Sequence, residues 1–288
     1  MANFLSFKTE PMYVHINKYE KCTFDYLGWA VSDNYEYNEK FPRQSQYSIT
    51  ITSPDITNQE ELNNSNVRGK EIADIISLLI PISGLSSLNR PKFICFSNNQ
   101  KFVDFKSAPN GWSTNYSDIQ SMLNSETGDK LILNVTAEGF IHSSILEQSP
   151  LFEIQQMLEH YNDADEHIAF LLFLYNSIET VNDINVYMLI GKALEIVFAI
   201  GAYNKKRHIK SYFPELSEIL QDVTFGSLFD LTNRRKESRH YVDNKKNNQI
   251  HNSMSNEEKI KLYRCSTSLI INVIRQAFGL SRVPIVFK

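Results

Sequence analysis

A chain of 288 residues, 42% hydrophobic and 22% charged, is long enough for one large or two ordinary domains with cores of their own. Its three cysteines, Cys22, Cys95 and Cys265, are odd in number and too far apart for a CxxC pair, which disfavours a disulfide framework or a zinc ribbon and fits a reducing cytoplasm. The net charge of −4 conceals a division: residues 1–200 carry 13 Lys+Arg against 25 Asp+Glu, and residues 201–288 carry 16 against 8. A basic segment on an acidic body suits an anionic partner such as RNA, or else mutual attraction of the two halves.

The N-terminal stretch MANFLSFKTEP has no basic region followed by an apolar run, and the most apolar helix candidate, residues 184–201, is interrupted by Asn185, Lys192 and Glu195. Neither export nor a membrane span is expected. Through the first 140 residues, short β-branched and aromatic runs alternate with turn-forming stretches. They predict strands at Met12–Ile16, Cys22–Val31, Tyr47–Thr52, Lys92–Phe96, Phe102–Phe105 and Leu131–Val135. Ile72, Ile75, Ile76 and Leu79 share one helix face, so a helix is predicted over Gly69–Ile80, stopped by Pro81; the polar stretch Thr57–Asn66 reads as a loop. Trp29, Trp112 and Tyr26, Tyr35 and Tyr37 are read as core packing ahead of a ligand surface.

From Ser149 the periodicity turns helical. Ser149-Pro150 is an N-cap followed by a proline at the first helical position, with Phe152, Ile154, Met157, Leu158 and Tyr161 after it. A second helix runs from Asp165 through Ile168, Leu171, Leu172, Tyr175 and Ile178. Residues 184–203 are apolar nearly all round, which predicts a helix in the middle of a bundle. A short helix at Leu216–Leu220 and a longer one at Thr224–Arg239, with Phe225, Leu228, Phe229 and Thr232 inward, precede a last helix opened by the capping box of Ser255 and Glu258. The fold class expected is α+β: a strand-rich mixed domain over residues 1–145, then an all-α bundle of about five helices over residues 149–282.

Several chemistries are disfavoured by missing motifs. No GxxxxGK[ST], GxGxxG or GxSxG occurs, which argues against nucleotide hydrolysis, dinucleotide binding and α/β-hydrolase catalysis. His160 and His167 stand seven apart with carboxylates between them but without HExxH spacing, and acids at a helix start are expected as caps, so no metal site and no cofactor is assigned. The run Asn204-Lys-Lys-Arg-His-Ile-Lys210 reads either as an RNA-contacting loop or as a solvated connection.

Between the last two long helices lies NRRKESRHYVDNKKNNQIHN, residues 233–252. A guanidinium keeps its charge and grips phosphate oxygens in a two-pronged way, whereas an imidazole titrates near neutrality and moves protons. Arg235 and His240 therefore suit cleavage of RNA by its own 2′-hydroxyl, which needs only proton transfer and charge stabilisation. Five residues apart on a regular helix they would point about 140° apart, so they need not share one face. The doubled arginine leaves Arg234 as an alternative to Arg235. Asn233, Arg239, Tyr241 and His251 are auxiliary candidates, and Lys236, Lys245 and Lys246 are candidate RNA contacts.

An apolar bundle helix, YMLIGKALEIVFAI at residues 187–200, followed by an Arg-polar-x-x-x-His element, a loop and a final amphipathic helix resembles the HEPN superfamily over roughly residues 150–280. The resemblance implies a metal-independent endoribonuclease acting as a homodimer, with an Arg and a His from each protomer around one phosphate. It also implies a setting in prokaryotic antiviral defence or a toxin system, in which the N-terminal domain would receive a regulatory ligand or protein. Two positions depart from the pattern: Lys236 stands where Asn is common, and Tyr241 adjoins the histidine while Val242 holds the place of a frequent tyrosine. The other reading is a non-catalytic dimerisation or RNA- or partner-binding module of the same shape.

Overall fold

The computed structural model describes residues 4–85, 93–97, 144–180, 186–216, 220, 222–234 and 254–283. Among these residues it is α+β, with the strands in the N-terminal part and most helices C-terminal. The chain divides into two compact units, Met1–Glu159 and His160–Lys288.

In the first unit, β1 (Leu5–Thr9), β2 (Met12–Ile16), β3 (Thr23–Tyr26), β4 (Trp29–Glu36), β5 (Gln46–Thr52), β6 (Phe93–Ser97) and β7 (Ser144–Leu146) form one sheet. The main path runs β3-β4-β5-β1-β6, all antiparallel, while β2 joins β5 antiparallel and β7 parallel. Strands β1 and β2 lie along the same edge of β5, but Lys8 faces Thr50 whereas Met12 faces Tyr47, where unbroken register would put Gln46. One residue has therefore been inserted, a β-bulge at Glu10-Pro11, where proline has no N–H to give the ladder. The insertion changes the phase of the side chains: Leu5, Phe7 and Thr9 are buried before it, Met12, Val14 and Ile16 after it. Inside the break the Ile49 N–H donates to Thr9 Oγ1 at 3.0 Å.

The predicted strand Cys22–Val31 is a hairpin. Leu27 and Gly28 both have positive φ, 53° and 81°, the geometry of a two-residue turn whose twist matches the flanking strands, and β3 and β4 pair around it. The predicted loop Thr57–Asn66 is largely helical, because α1 runs Gln59–Leu79. Asn58 caps it by accepting from Glu61 N, and Glu61 reaches back to the Thr57 N–H and hydroxyl. Its first half is polar because it faces solvent, which hides the 3.6-residue period there. Strands β1 and β7 were not expected from the sequence; Phe102–Phe105, Leu131–Val135 and Trp112 lie outside the described residues.

Helix α1 buries Leu62, Ile72, Ala73, Ile76 and Leu79, and at Gly69 its backbone comes so near that an added Cβ would stand under 3.0 Å from the rings of Phe7 and Trp29. Trp29 is core, tilted against Phe7 at 5.9 Å. Helix α2 (Pro150–His160) belongs to this unit, although the helical character begins at Ser149, because its first turn is bonded to the sheet. Ser149 Oγ accepts from Leu151 N and donates to the buried carboxylate of Asp33. Asp33 also accepts from Tyr47 Oη at 3.2 Å, Tyr19 Oη at 3.0 Å and Cys22 N at 2.9 Å.

In the second unit, α3 (Glu166–Thr180), α4 (Val186–Gly201), α5 (Phe225–Arg234) and α6 (Asn256–Ala277) pack together, α4 and α6 each touching the other three. Helix α4 keeps an outward face of Lys192, Glu195, Ala199 and Ile200, so its apolar girth does not make it the most enclosed helix. That place belongs to α6, in which every residue from Cys265 to Arg275 is buried. The expected capping box at Ser255 and Glu258 is present. A 3-10 turn spans Pro214–Leu216 and the Leu220 N–H donates to Leu216 O at 2.9 Å; residues 217–219 of the helix predicted at Leu216–Leu220 lie outside the described residues. Beyond α6, Gly279 (φ 71°) turns the chain and the Leu280 N–H closes on Arg275 O. Asn272 then holds Val283 through both its amide groups, and Arg275 Nε donates to Ser281 O at 2.7 Å.

Gly69→Ala should destabilise the fold by about 1–2 kcal/mol, since overpacking two core rings outweighs the better helix propensity of alanine; urea unfolding reads this, and a stabilised variant would refute the close approach. Burial, followed by the charge of Asp33, pushes the Cys22 thiol up to about 11, and burial raises Cys95 to about 12 and Cys265 to about 11. A thiol raised above its unfolded value contributes stability that is complete below an ordinary value near 9 and is lost as pH climbs through the folded values. The urea midpoint should therefore fall between about pH 9 and 11, and less steeply in Cys22→Ala; a flat midpoint would contradict it.

Candidate nucleic-acid interface

The Arg/His segment begins where α5 ends, so what fixes α5 fixes the entry to the segment. Thr224 caps the helix: its Oγ1 accepts from Ser227 N at 3.1 Å while its own N–H donates to Ser227 Oγ at 3.0 Å, a reciprocal pair. One turn on, Phe225 and Phe229 flank the ring of Phe198 on α4, both edge to face, with centroids 5.6 and 5.5 Å away. Further along, Gly191 on α4 admits Thr232, whose Cβ would lie 3.4 Å from a Cβ placed there. Phe225, Leu228 and Thr232 are buried as the helical spacing predicts, and Phe229 is half-buried.

Asn233 and Arg234 are the last two described residues of α5. Arg235, Lys236, Arg239, His240, Tyr241, Lys245, Lys246 and His251 lie outside the described residues, as does the part of the predicted helix beyond Arg234. On the far side, Met254 is buried and Ser255 opens α6. Residues 235–253 thus connect the end of one packed helix to the start of another.

The basic run after α4 is fully described. Asn204 opens a tight turn, with the Arg207 N–H donating to its carbonyl at 3.1 Å and the Lys206 N–H to its Oδ1 at 2.9 Å. Lys205 O accepts from Gly226 N at 3.0 Å, and a Cβ on Gly226 would stand 3.1 Å from that oxygen, so the loop lies against the first turn of α5. Lys205 Nζ sits over the rings of Phe198 and Phe229 at 5.5 and 5.3 Å. His208 bridges to Thr224, and Ile209 N donates to Val223 O at 2.8 Å.

Two tyrosines that sequence reading did not single out complete this corner. Tyr203 stacks on Phe225 at 4.9 Å and 9°, and tilts against Tyr212 at 4.9 Å. Burial raises the pKa of the Tyr203 phenol, partly opposed by Arg282. The signal for them was available as aromatics bracketing the basic run, which periodicity does not register.

Elsewhere, Asp165 Oδ1 accepts from His167 N and its carbonyl from Ala169 N, so it caps α3. Among the described residues no group of three or more His, Cys, Asp or Glu side chains gathers, and no helix is long and apolar enough to cross a membrane. Comparison of the chain with protein-family models, curated proteins and solved structures finds no match.

Thr224→Ala should lower stability by about 1 kcal/mol through loss of the α5 cap, with faster amide exchange at Ser227; unchanged exchange there would refute the cap.

Proposed function

We propose that this protein is a metal-independent endoribonuclease whose second unit is a HEPN-like helical domain. The observation that supports this best is the course of the chain: a helix clamped to α4 runs to Arg234, residues 235–253 follow with five Lys or Arg against two acids, and α6 begins at Asn256. That order of helix, Arg/His segment and long final helix is the one on which the resemblance rests. In this reading the RNA 2′-hydroxyl oxygen attacks the adjacent phosphorus while a base removes its proton, and the 5′-oxygen leaves carrying a proton from an acid. The products are a 2′,3′-cyclic phosphate and a 5′-hydroxyl. His240 supplies the acid or base, and Arg235, or Arg234 in the other register, neutralises the phosphorane oxygens. Two protomers join their segments around one phosphate, with Asn233, Arg239, Tyr241 and His251 as auxiliaries and Lys236, Lys245 and Lys246 on flanking phosphates. By the same resemblance the setting is a cytoplasmic defence or toxin system, with the sheet unit as receiver of a regulatory ligand or protein.

One observation favours the second reading, a non-catalytic partner-binding module. Phe170 and Phe173 on α3 are 49% and 58% exposed, with nearly parallel rings 6.1 Å apart. Solvent-facing aromatics of this kind suit a protein contact and contribute nothing to phosphodiester chemistry.

Purified protein, Arg235→Ala and His240→Ala should be compared on total cellular RNA in EDTA. The nuclease reading expects 2′,3′-cyclic phosphate ends from the wild type and a loss of at least a hundredfold in His240→Ala with folding retained. Cleavage unaffected by both substitutions overturns the assigned site; absence of cleavage even where expression is toxic favours the binding module.

A further inference from the structure

We infer that the loop Asn204–Lys210 is a binding site for single-stranded RNA, separate from the Arg/His segment, with Lys206, Arg207 and Lys210 on phosphates and Tyr212 as a stacking surface beside them. That the strand is RNA and not DNA rests on the function proposed above.

Charge is the first ground. Four Lys or Arg and one His occupy seven positions, with no acid between Asn204 and Phe213. Lys206, Arg207, His208 and Lys210 are exposed, and none forms an ion pair with a described carboxylate. Glu195 is paired with Lys192 at 3.6 Å and Glu215 with Arg282 at 3.6 Å, which leaves Asp222, beside Val223, as a described acid near the loop that no described ion pair engages. Cations this close repel one another, and an anionic partner would relieve that repulsion.

Rigidity is the second. A solvated connection does not need its backbone fixed, yet this one is tied at Asn204 (N–H to Tyr212 Oη, 3.2 Å), Lys205, Lys206, Arg207, His208 and Ile209. Cations carried on a backbone already ordered lose less entropy on binding, which is how a small patch achieves useful affinity. Lys205, laid over two rings, serves to hold the loop down and is not counted among the phosphate contacts.

The third ground is the ring. Tyr212 is half-buried, with the Arg207 guanidinium 5.9 Å from its centroid. A cation next to an aromatic face accepts a phosphate and the base attached to it together, which favours single strands, whose bases are free to stack, over a duplex.

The test uses the full chain and a fluorescent 12-nucleotide 2′-O-methyl oligouridylate, which cannot be cleaved by 2′-hydroxyl attack, read by anisotropy in EDTA. The triple variant Lys206→Ala/Arg207→Ala/Lys210→Ala should bind at least tenfold more weakly at about 0.1 M salt, and the slope of log affinity against log salt should shrink by about two. Lys206→Arg/Lys210→Arg, which keeps the charge, should bind as the wild type does, and thermal midpoints of all forms should agree. A matched RNA duplex should bind several-fold more weakly. Wild-type affinity in the triple variant, no binding by the wild type, or equal binding of the duplex overturns the inference. Binding lost in the triple variant from a protein that never cleaves RNA would sustain the site and remove the nuclease; cleavage abolished in His240→Ala alongside unchanged binding in the triple variant would do the reverse.

Discussion

One ring, Phe198, holds together the part of the helical unit on which the functional readings depend. The ten described residues of α5 are too few to persist as a helix in water by themselves, because nucleation costs more than so few hydrogen bonds return. Its direction is therefore set by what it packs on. Phe198 receives Phe225 and Phe229 edge to face, Phe225 stacks in turn on Tyr203, and Lys205 lies over Phe198 and Phe229. Edge-to-face pairs contribute roughly 0.5–1.5 kcal/mol each beyond the area they bury, and the cation adds a comparable amount where water is excluded. The end of α4, the basic loop and the start of α5 thus form one cluster.

The sheet unit is organised on the opposite principle, around a charge-bearing group in place of a ring. Asp33 is 2% exposed and takes hydrogen bonds from Tyr19, Cys22, Tyr47 and Ser149. A buried carboxylate so fully paired adds little stability over a well-packed apolar residue, but each mispaired alternative leaves a lone carboxylate or hydroxyl in the core. Its effect falls on register: β4, β5 and the first turn of α2 are joined by partners as far as 116 residues apart in the chain. The same network raises the pKa values of Tyr19 and Tyr47, first through burial and then through Asp33, so both phenols stay protonated as donors.

Much of this architecture could be read from the sequence, and what could not has identifiable causes. Strand Met12–Ile16, the helices beginning near Pro150 and Asp165, and the Ser255–Glu258 capping box carry their own signals of alternation, N-cap and proline. The bulge at Glu10-Pro11 defeats alternation because it reverses the side-chain phase halfway along an edge. The turn at Leu27-Gly28 carries no strong sequence signal because leucine, not asparagine or aspartate, holds its first position. The first half of α1 reads as a loop because only its cap, Asn58, distinguishes it from a polar stretch. At the interface, the basic character of residues 204–210 and 233–252 was plain, and so was the inward face of α5. The aromatic scaffold under the loop was not, because Phe198, Tyr203, Phe225 and Phe229 belong to separate elements and meet only when α4 and α5 pack.

The small net charge of the chain is a poor guide to whether it meets RNA. At physiological salt, charges beyond about 8 Å are largely screened, so a strand at the loop responds to the charges beside it, Lys206, Arg207 and Lys210 among them, and not to the total for the chain. A fixed patch of this size gives salt-sensitive, sequence-indifferent hold, the regime in which phosphate contacts position a strand without reading it. Chemistry on a phosphodiester makes a different demand: a guanidinium and an imidazole placed to a fraction of an ångström, effective only once the strand is already held. In the function proposed above, loop and Arg/His segment would answer these two demands separately. Because Lys205 and Gly226 tie the loop to the first turn of the helix that carries Arg234, a strand gripped by the loop would lie against the N-terminal end of that helix.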